Sequence, residues 1–114
     1  MARMNKENAK NILSNVPEDK VFWVNDGRIS RNLNELSSVL ADISEETFAY
    51  HVNKEKNDFK NWISDVVGDK NLANDMAKAK SKEYILNKVN KRINKLNSLI
   101  KWFRLQISEK FIML

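Results

Sequence analysis

The sequence predicts an all-α fold, a compact bundle of about five to six helices with one short β-hairpin and a long C-terminal helix. Apolar residues recur at helical spacing through most of the 114-residue chain. Ser, Asn or Asp residues precede these periodic segments, and such residues cap helix starts. One short β-type run stands beside an Asp-Gly turn. At this length we expect one domain, residues 1–114, with its own hydrophobic core.

Composition excludes several classes of site. The chain has no Cys, one His and two Gly. Disulfides, thiolate zinc sites, multi-histidine metal sites and glycine-rich phosphate loops are therefore excluded. We expect no catalytic residue, no cofactor and no metal, and hence a non-enzymatic protein. Neither a spanning apolar run nor a signal-peptide h-region occurs, which predicts a cytoplasmic protein.

The net charge of +5 is concentrated in the C-terminal third. Residues 1–77 carry 10 basic and 13 acidic side chains, whereas residues 78–114 carry 10 basic and 2 acidic ones. An electrostatic partner is therefore expected to contact the C-terminal third. A compositional bias toward Asn, Lys and Ile would raise the pI equally well without any partner, so both explanations stay open.

The N-terminal third is expected to hold a helix and the hairpin. Residues 4–16 form the predicted helix, which Pro17 ends because the residue before proline is disfavoured in the α region. Residues 21–24 are a β-type run, Asp26-Gly27 predicts a two-residue turn, and residues 28–29 return, which places the hairpin at about residues 21–29. For Trp23 we favour core packing over an exposed binding role, since Trp buries a large apolar area.

The next segments predict the core. Asn32, with Glu35 three residues later, is a capping-box-like helix start, and Ser44 and Asn57 cap two short helices that follow. Gly68 suits the left-handed position that ends the second of these. The residues expected to be buried together are Phe48, Phe59, Trp62, Ile63 and Val66, with Leu36 and Leu40 against them.

The single histidine, His51, lies in this helical pair. We expect a structural, hydrogen-bonded His51. The alternative, in which His51, Asp58 and Asp65 ligate a metal or act as acid and base, is less favoured because Asp58 is stabilised in a first helical turn anyway.

The last helix is the longest. Asp69 caps the helix before it, and Ser81 caps the last helix itself. Its apolar residues are spaced alternately by three and four, a heptad pattern. These seam residues are Leu86, Val89, Ile93, Leu96, Ile100, Phe103 and Ile107. An unbroken helix of this length exceeds the diameter of a domain of this size, so it bends near Asn97-Ser98 or its distal half projects.

Three strings carry a resemblance to a known family. They are P-E-D-K-V-F-W-V-N-D-G-R-I, N-L-N-E-L-S-S-V-L, and a third run that contains Y-H-V-N and N-D-F-K-N-W-I. Together they resemble a small, mostly archaeal domain family of unknown function. The match covers about residues 17–79. It implies a recurring module, residues 17–80, and no catalytic residues. The N-terminal helix, residues 1–16, and the long basic helix, residues 81–114, lie outside it.

These patterns predict a binding module that acts through its C-terminal helix. The partner would be another protein or a second copy, and the predicted contact residues are Leu99, Ile100, Trp102, Phe103, Ile107 and Phe111. The alternative is sequence-non-specific binding of DNA or RNA backbone through a basic face. That face comprises Lys88, Lys91, Arg92, Lys95, Lys101 and Arg104. Peripheral membrane contact through the apolar C-terminal residues is a third reading.

Overall fold

The computed structural model describes the backbone of residues 5–78 and 80–112, and within these ranges the side chains up to residue 105. Over this part of the chain the fold is all-α with six α-helices and one β-hairpin, as predicted. The elements in order are α1 (Lys6–Leu13), a 3₁₀ turn (Glu18–Lys20), β1 (Phe22–Trp23), β2 (Ile29–Ser30), α2 (Leu33–Asp42), α3 (Glu45–His51), α4 (Asp58–Trp62), a π-helical segment (Ile63–Val67), α5 (Lys70–Met76) and α6 (Lys82–Ile112).

The first helix is shorter than predicted. Asn5 caps α1 by accepting a hydrogen bond from the Asn8 N–H, and the helix ends at Leu13 rather than at residue 16. Proline is not the cause of this end. The Ser14 hydroxyl donates to the Asn11 carbonyl, a local bond that competes with helix continuation. The Val16 N–H then donates to the Arg31 carbonyl, which ties the segment to the end of β2.

The hairpin has a three-residue loop rather than the predicted two-residue turn. Phe22 pairs with Ser30 and Trp23 with Ile29. The Gly27 N–H donates to the Val24 carbonyl, and Gly27 alone in the loop has a positive φ, +99°. A two-residue type I′ turn would need positive φ at Asp26 as well, so the loop instead matches a type I turn followed by a glycine bulge.

The predicted core packing of Trp23 is wrong. The side chain of Trp23 is 70% exposed, whereas its neighbour Phe22 is buried against Phe59 and Trp62. Successive strand residues point to opposite faces, so only one of the two aromatic residues in β1 can reach the core.

The predicted helix caps are confirmed. The side chains of Asn32, Ser44 and Asn57 each accept a hydrogen bond from a backbone N–H three residues later, at 2.8–3.0 Å. After α4 the chain continues into the π-helical segment, which the sequence did not predict. The N–H groups of Gly68 and Asp69 both donate to the Ile63 carbonyl, and Gly68 has a φ of +85°. Gly68 thus occupies the predicted left-handed position.

One hydrophobic core joins the N-terminal helix, the middle segment and the last helix. Phe48, Phe59, Trp62 and Ile63 are buried with Leu36 and Leu40, as predicted, and Val66 packs against them while partly exposed. Residues from both ends of the chain complete this core: Ala9, Ile12, Ile85, Val89, Ile93 and Leu96. Residues 17–80 therefore do not enclose their core without α1 and α6.

The last helix is continuous through Asn97-Ser98. Its proximal half packs on α1, α2 and α5. Ile85 is fully buried there, although the predicted seam omitted it, while the predicted Leu86 is only partly buried. The molecule measures 57 × 28 × 24 Å, so one dimension is about twice the others. A 31-residue helix is roughly 46 Å long, which means that α6 extends beyond the body it packs on.

Candidate functional site

The exposed apolar surface of α6 lies in residues 99–105, called here the distal segment. Along α6 the side chains leave the core progressively: Leu96, before this segment, is fully buried, Ile100 is partly buried against the core, and Trp102 and Leu105 are 53% and 54% exposed. Trp102 contacts Phe103 edge to face, with ring centroids 5.0 Å apart. The other two predicted contact residues, Ile107 and Phe111, lie outside the described side chains.

Apolar residues cover most of the distal segment's circumference. Leu99, Trp102 and Phe103 follow the i, i+3, i+4 spacing of a single helix face. Ile100 and Leu105 flank this face, so the five apolar residues span roughly 220° at 3.6 residues per turn. Lys101 and Arg104 occupy the remaining arc, and both are exposed. A helix that is apolar over so much of its surface is normally buried.

Leu105 is a contact candidate that sequence reasoning missed. It lies off the heptad seam, as the predicted contact residues Leu99 and Trp102 also do. The signal for Leu105 in the sequence is its helical angle, about 60° from Trp102 at the end of the apolar arc.

The six predicted phosphate-binding residues do not form one face. Lys88, Lys91 and Lys95 lie together and line a cleft of about 160 Å³ opposite Asn71 and Asp75. At 100° per residue, Lys101 and Arg104 are rotated by roughly 110° and 170° from these three lysines. The proposed continuation of the basic face along the helix is therefore wrong, since Lys101 and Arg104 point elsewhere.

Arg92 is held inside the fold. Its Nε is 2.6 Å from Asp69 Oδ2 and its Nη2 is 3.0 Å from Asp69 Oδ1, a bidentate pair. The side chains are 11% and 2% exposed, respectively. Asp69 Oδ1 also accepts the Leu72 N–H and so caps α5. Arg92 therefore joins α6 to α5, and this pairing removes it from the set of cations available to a ligand.

His51 is buried with both ring nitrogens engaged. Nε2 accepts a hydrogen bond from the Asn25 N–H at 3.0 Å, which places the ring proton on Nδ1, 3.0 Å from Asp58 Oδ2. The imidazole also contacts the rings of Phe22 and Phe59. His51 thus fixes the hairpin loop to α3 and α4, as the structural reading predicted. Asp65 is exposed and near Lys70, not near His51.

Asp58 contributes a pH-dependent term to stability. Partial burial raises its pKa, but the hydrogen bonds from Lys56 and His51 and the charge of Lys56 outweigh this and hold the pKa below the ordinary 3.8. A lowered carboxyl pKa stabilises the fold above 3.8, and this stabilisation is lost as pH falls through the lowered value. We expect Asp58→Asn to flatten the fall in urea midpoint below about pH 4. Asp65→Asn is the matched control, and an identical effect of both variants would contradict the assignment.

Comparisons with protein-family models, with curated proteins and with solved structures each found no match. The resemblance to a mostly archaeal family therefore stays a prediction. In the described part of the chain, no group of three or more His, Cys, Asp or Glu residues is arranged to hold a metal ion. None of the described helices combines the length and apolar character needed to cross a bilayer.

Proposed function

We propose that this chain is a non-enzymatic interaction module whose distal segment inserts into an apolar groove of a protein partner. The observation that carries the proposal is the exposure of Trp102 and Leu105, each more than half open on a helix that extends beyond the body. Leu99, Trp102 and Phe103 supply the i, i+3, i+4 anchors by which helices bind grooves. Trp is also the residue type most enriched at binding hot spots.

Charge favours a different protein over a second copy of this chain. Residues 78–114 carry an excess of eight positive charges, and Lys101 and Arg104 are both exposed on the distal segment. Two such helices side by side would bring like charges together, which disfavours pairing. A groove with an apolar floor and acidic rims complements the segment better, because the floor takes the apolar arc and the rims face the cations.

The proposal is tested by capture of one partner from nuclease-treated extract of the native host. Trp102→Ala combined with Leu105→Ala should lower the amount of captured partner by at least tenfold, since hot-spot truncations cost about 2 kcal/mol or more. A chain that ends at Asn97 should lose capture as well. Trp23→Ala combined with Tyr50→Ala is the matched control, because these aromatics are at least as exposed but lie on the hairpin and α3.

Three results would contradict the proposal. The first is equal capture by the distal variant and the control. The second is a concentration-dependent dimer, found by light scattering, that the distal substitutions dissociate. The third is binding to anionic vesicles that needs Trp102 while no protein is retained, which would support the membrane reading instead.

Backbone binding of DNA or RNA is the second candidate, and the grouping of Lys88, Lys91 and Lys95 on one cleft favours it. Its test must leave Arg92 unchanged, because Arg92→Glu would place two carboxylates together in the buried pair with Asp69. Glu substitutions at the three lysines alone should remove a gel shift at low salt. An undiminished gel shift in this variant would exclude the face of Lys88, Lys91 and Lys95 as the nucleic-acid-binding site.

A further inference from the structure

A second basic cleft lies on the other side of α5, around the turn that joins α3 to α4. It has a volume of about 340 Å³, and its charged lining residues are Lys54, Glu55, Lys56, Lys60 and Lys80. The lysines come from the turn, α4 and the segment that precedes α6. None of these residues belongs to the distal segment or to the face of Lys88, so this cleft is a separate feature.

The turn that shapes this cleft is fixed by hydrogen bonds. Val52 and Asn57 form an isolated β-bridge, and the Asn53 N–H donates to the Lys56 carbonyl at 2.9 Å. Lys80 Nζ donates to the Asn53 carbonyl at 2.9 Å, which ties the segment before α6 to the turn. The positive charges are therefore held near one another by the fold, which raises the potential in the cleft and favours an anionic ligand.

An exposed aromatic ring adjoins one of these lysines, Lys56. Lys56 Nζ lies 4.6 Å from the ring centroid of Tyr50, which is 54% exposed. Lys56 Nζ is also 2.9 Å from Asp58 Oδ2, so Lys56 has a fixed place between the carboxylate and the ring. Lys54 and Lys60 belong to the same cleft and can approach a ligand without breaking this arrangement.

The lining chemistry fits a nucleotide chain better than a small organic ligand. Pockets for small molecules are mostly apolar, whereas Ala77 is the single apolar residue in this lining. Lysines bind phosphates as point charges. Sites for single-stranded nucleic acid combine basic side chains that follow the phosphate backbone with an aromatic ring on which a base stacks.

We propose that this cleft binds single-stranded nucleic acid, with phosphates at Lys54 and Lys60 and a base stacked on Tyr50. The proposal does not rest on the distal segment of α6. It also differs from binding through Lys88, because it assigns a different cleft and requires an unpaired base.

Fluorescence anisotropy with a labelled oligothymidylate of about 12 nucleotides tests the site. Lys54→Glu combined with Lys60→Glu should weaken binding at low salt by at least about tenfold. The matched control, Lys10→Glu combined with Lys20→Glu, changes the net charge equally at two exposed lysines that line neither basic cleft, and should weaken binding by less than about threefold. Tyr50→Ala should weaken binding by about fivefold or more, and Tyr50→Phe should retain it, because stacking needs the ring alone.

Salt dependence gives an independent check. Two phosphates, contacted at Lys54 and Lys60 on a single strand, predict a slope of roughly −1.4 for log K against log salt, at about −0.7 per phosphate. Each variant must have the same melting temperature as the unsubstituted chain. The proposal is overturned by absence of binding at low salt, by equal losses in the Lys54/Lys60 variant and the Lys10/Lys20 control, or by an unchanged affinity in Tyr50→Ala. Displacement of the oligothymidylate by polyglutamate, at an equal concentration of negative charge, would also overturn the proposal. That result would mean that the cleft is a general anion site.

Discussion

Asp69→Ala is expected to lower the free energy of unfolding by about 3–5 kcal/mol, the cost of leaving one member of a buried ion pair unpaired. Arg92, whose side chain is 11% exposed between α5 and α6, would lose the carboxylate that its Nε contacts. The substitution also removes the oxygen that caps α5 through the Leu72 N–H. Stability of a domain of this size is about 5–15 kcal/mol, so this loss is a large fraction of the total.

Urea unfolding measures this effect, and Asp75→Ala is its control. Asp75 lies in the same helix and pairs with Lys78, but that pair is exposed and should contribute less than about 1 kcal/mol. The double variant Asp69→Ala with Arg92→Leu should recover part of the loss, because no charge then remains buried alone. Equal losses for Asp69→Ala and Asp75→Ala, or no recovery in the double variant, would contradict the pairing.

Trp62→Ala is expected to cost about 3–5 kcal/mol, the usual range for truncating a buried Trp. The indole is 7% exposed and meets Phe22 edge to face, with ring centroids 5.8 Å apart. Its Nε1–H donates to the Lys20 carbonyl at 2.8 Å, which fixes the 3₁₀ turn ahead of the hairpin. The variant loses the apolar contacts and leaves that carbonyl without its donor.

The same measurement on Trp23→Ala provides the comparison. Trp23 is 70% exposed, so its loss should change the unfolding free energy by no more than about 0.5 kcal/mol. Comparing the two Trp residues thus separates the effect of burial on the unfolding free energy from the effect of residue type. A loss below about 1 kcal/mol for Trp62→Ala would place Trp62 on the surface and would contradict the core described above.

Local sequence signals were sufficient for most of the fold. The caps at Asn32, Ser44 and Asn57 could be predicted because each bond joins a side chain to a backbone group three residues away. Gly68 was predictable for a similar reason, since a positive φ is a property of one residue. The helical spacing of apolar residues likewise identified the core around Phe59 and Trp62.

Features that depend on distant partners were not predictable. Arg92 resembles its lysine neighbours along the sequence, and only the packing of α6 on α5 shows that it pairs with Asp69, 23 residues away. Trp23 and Phe22 are both aromatic, and the direction of β1 relative to the core decides which one is buried. The cleft beside Tyr50 is formed by a turn and a segment far apart in sequence, so no local pattern indicates it.

The most direct measurement compares the melting temperatures of the full chain and of a chain that ends at Asn97, with partner capture measured on both. The shorter chain keeps the buried residues Ile85, Val89, Ile93 and Leu96 and lacks the distal segment. We expect a melting temperature within a few degrees of the full chain's, together with complete loss of partner capture. A much lower melting temperature, with no partner bound by a monomeric full chain, would contradict the proposal. It would mean that the distal segment stabilises the domain itself.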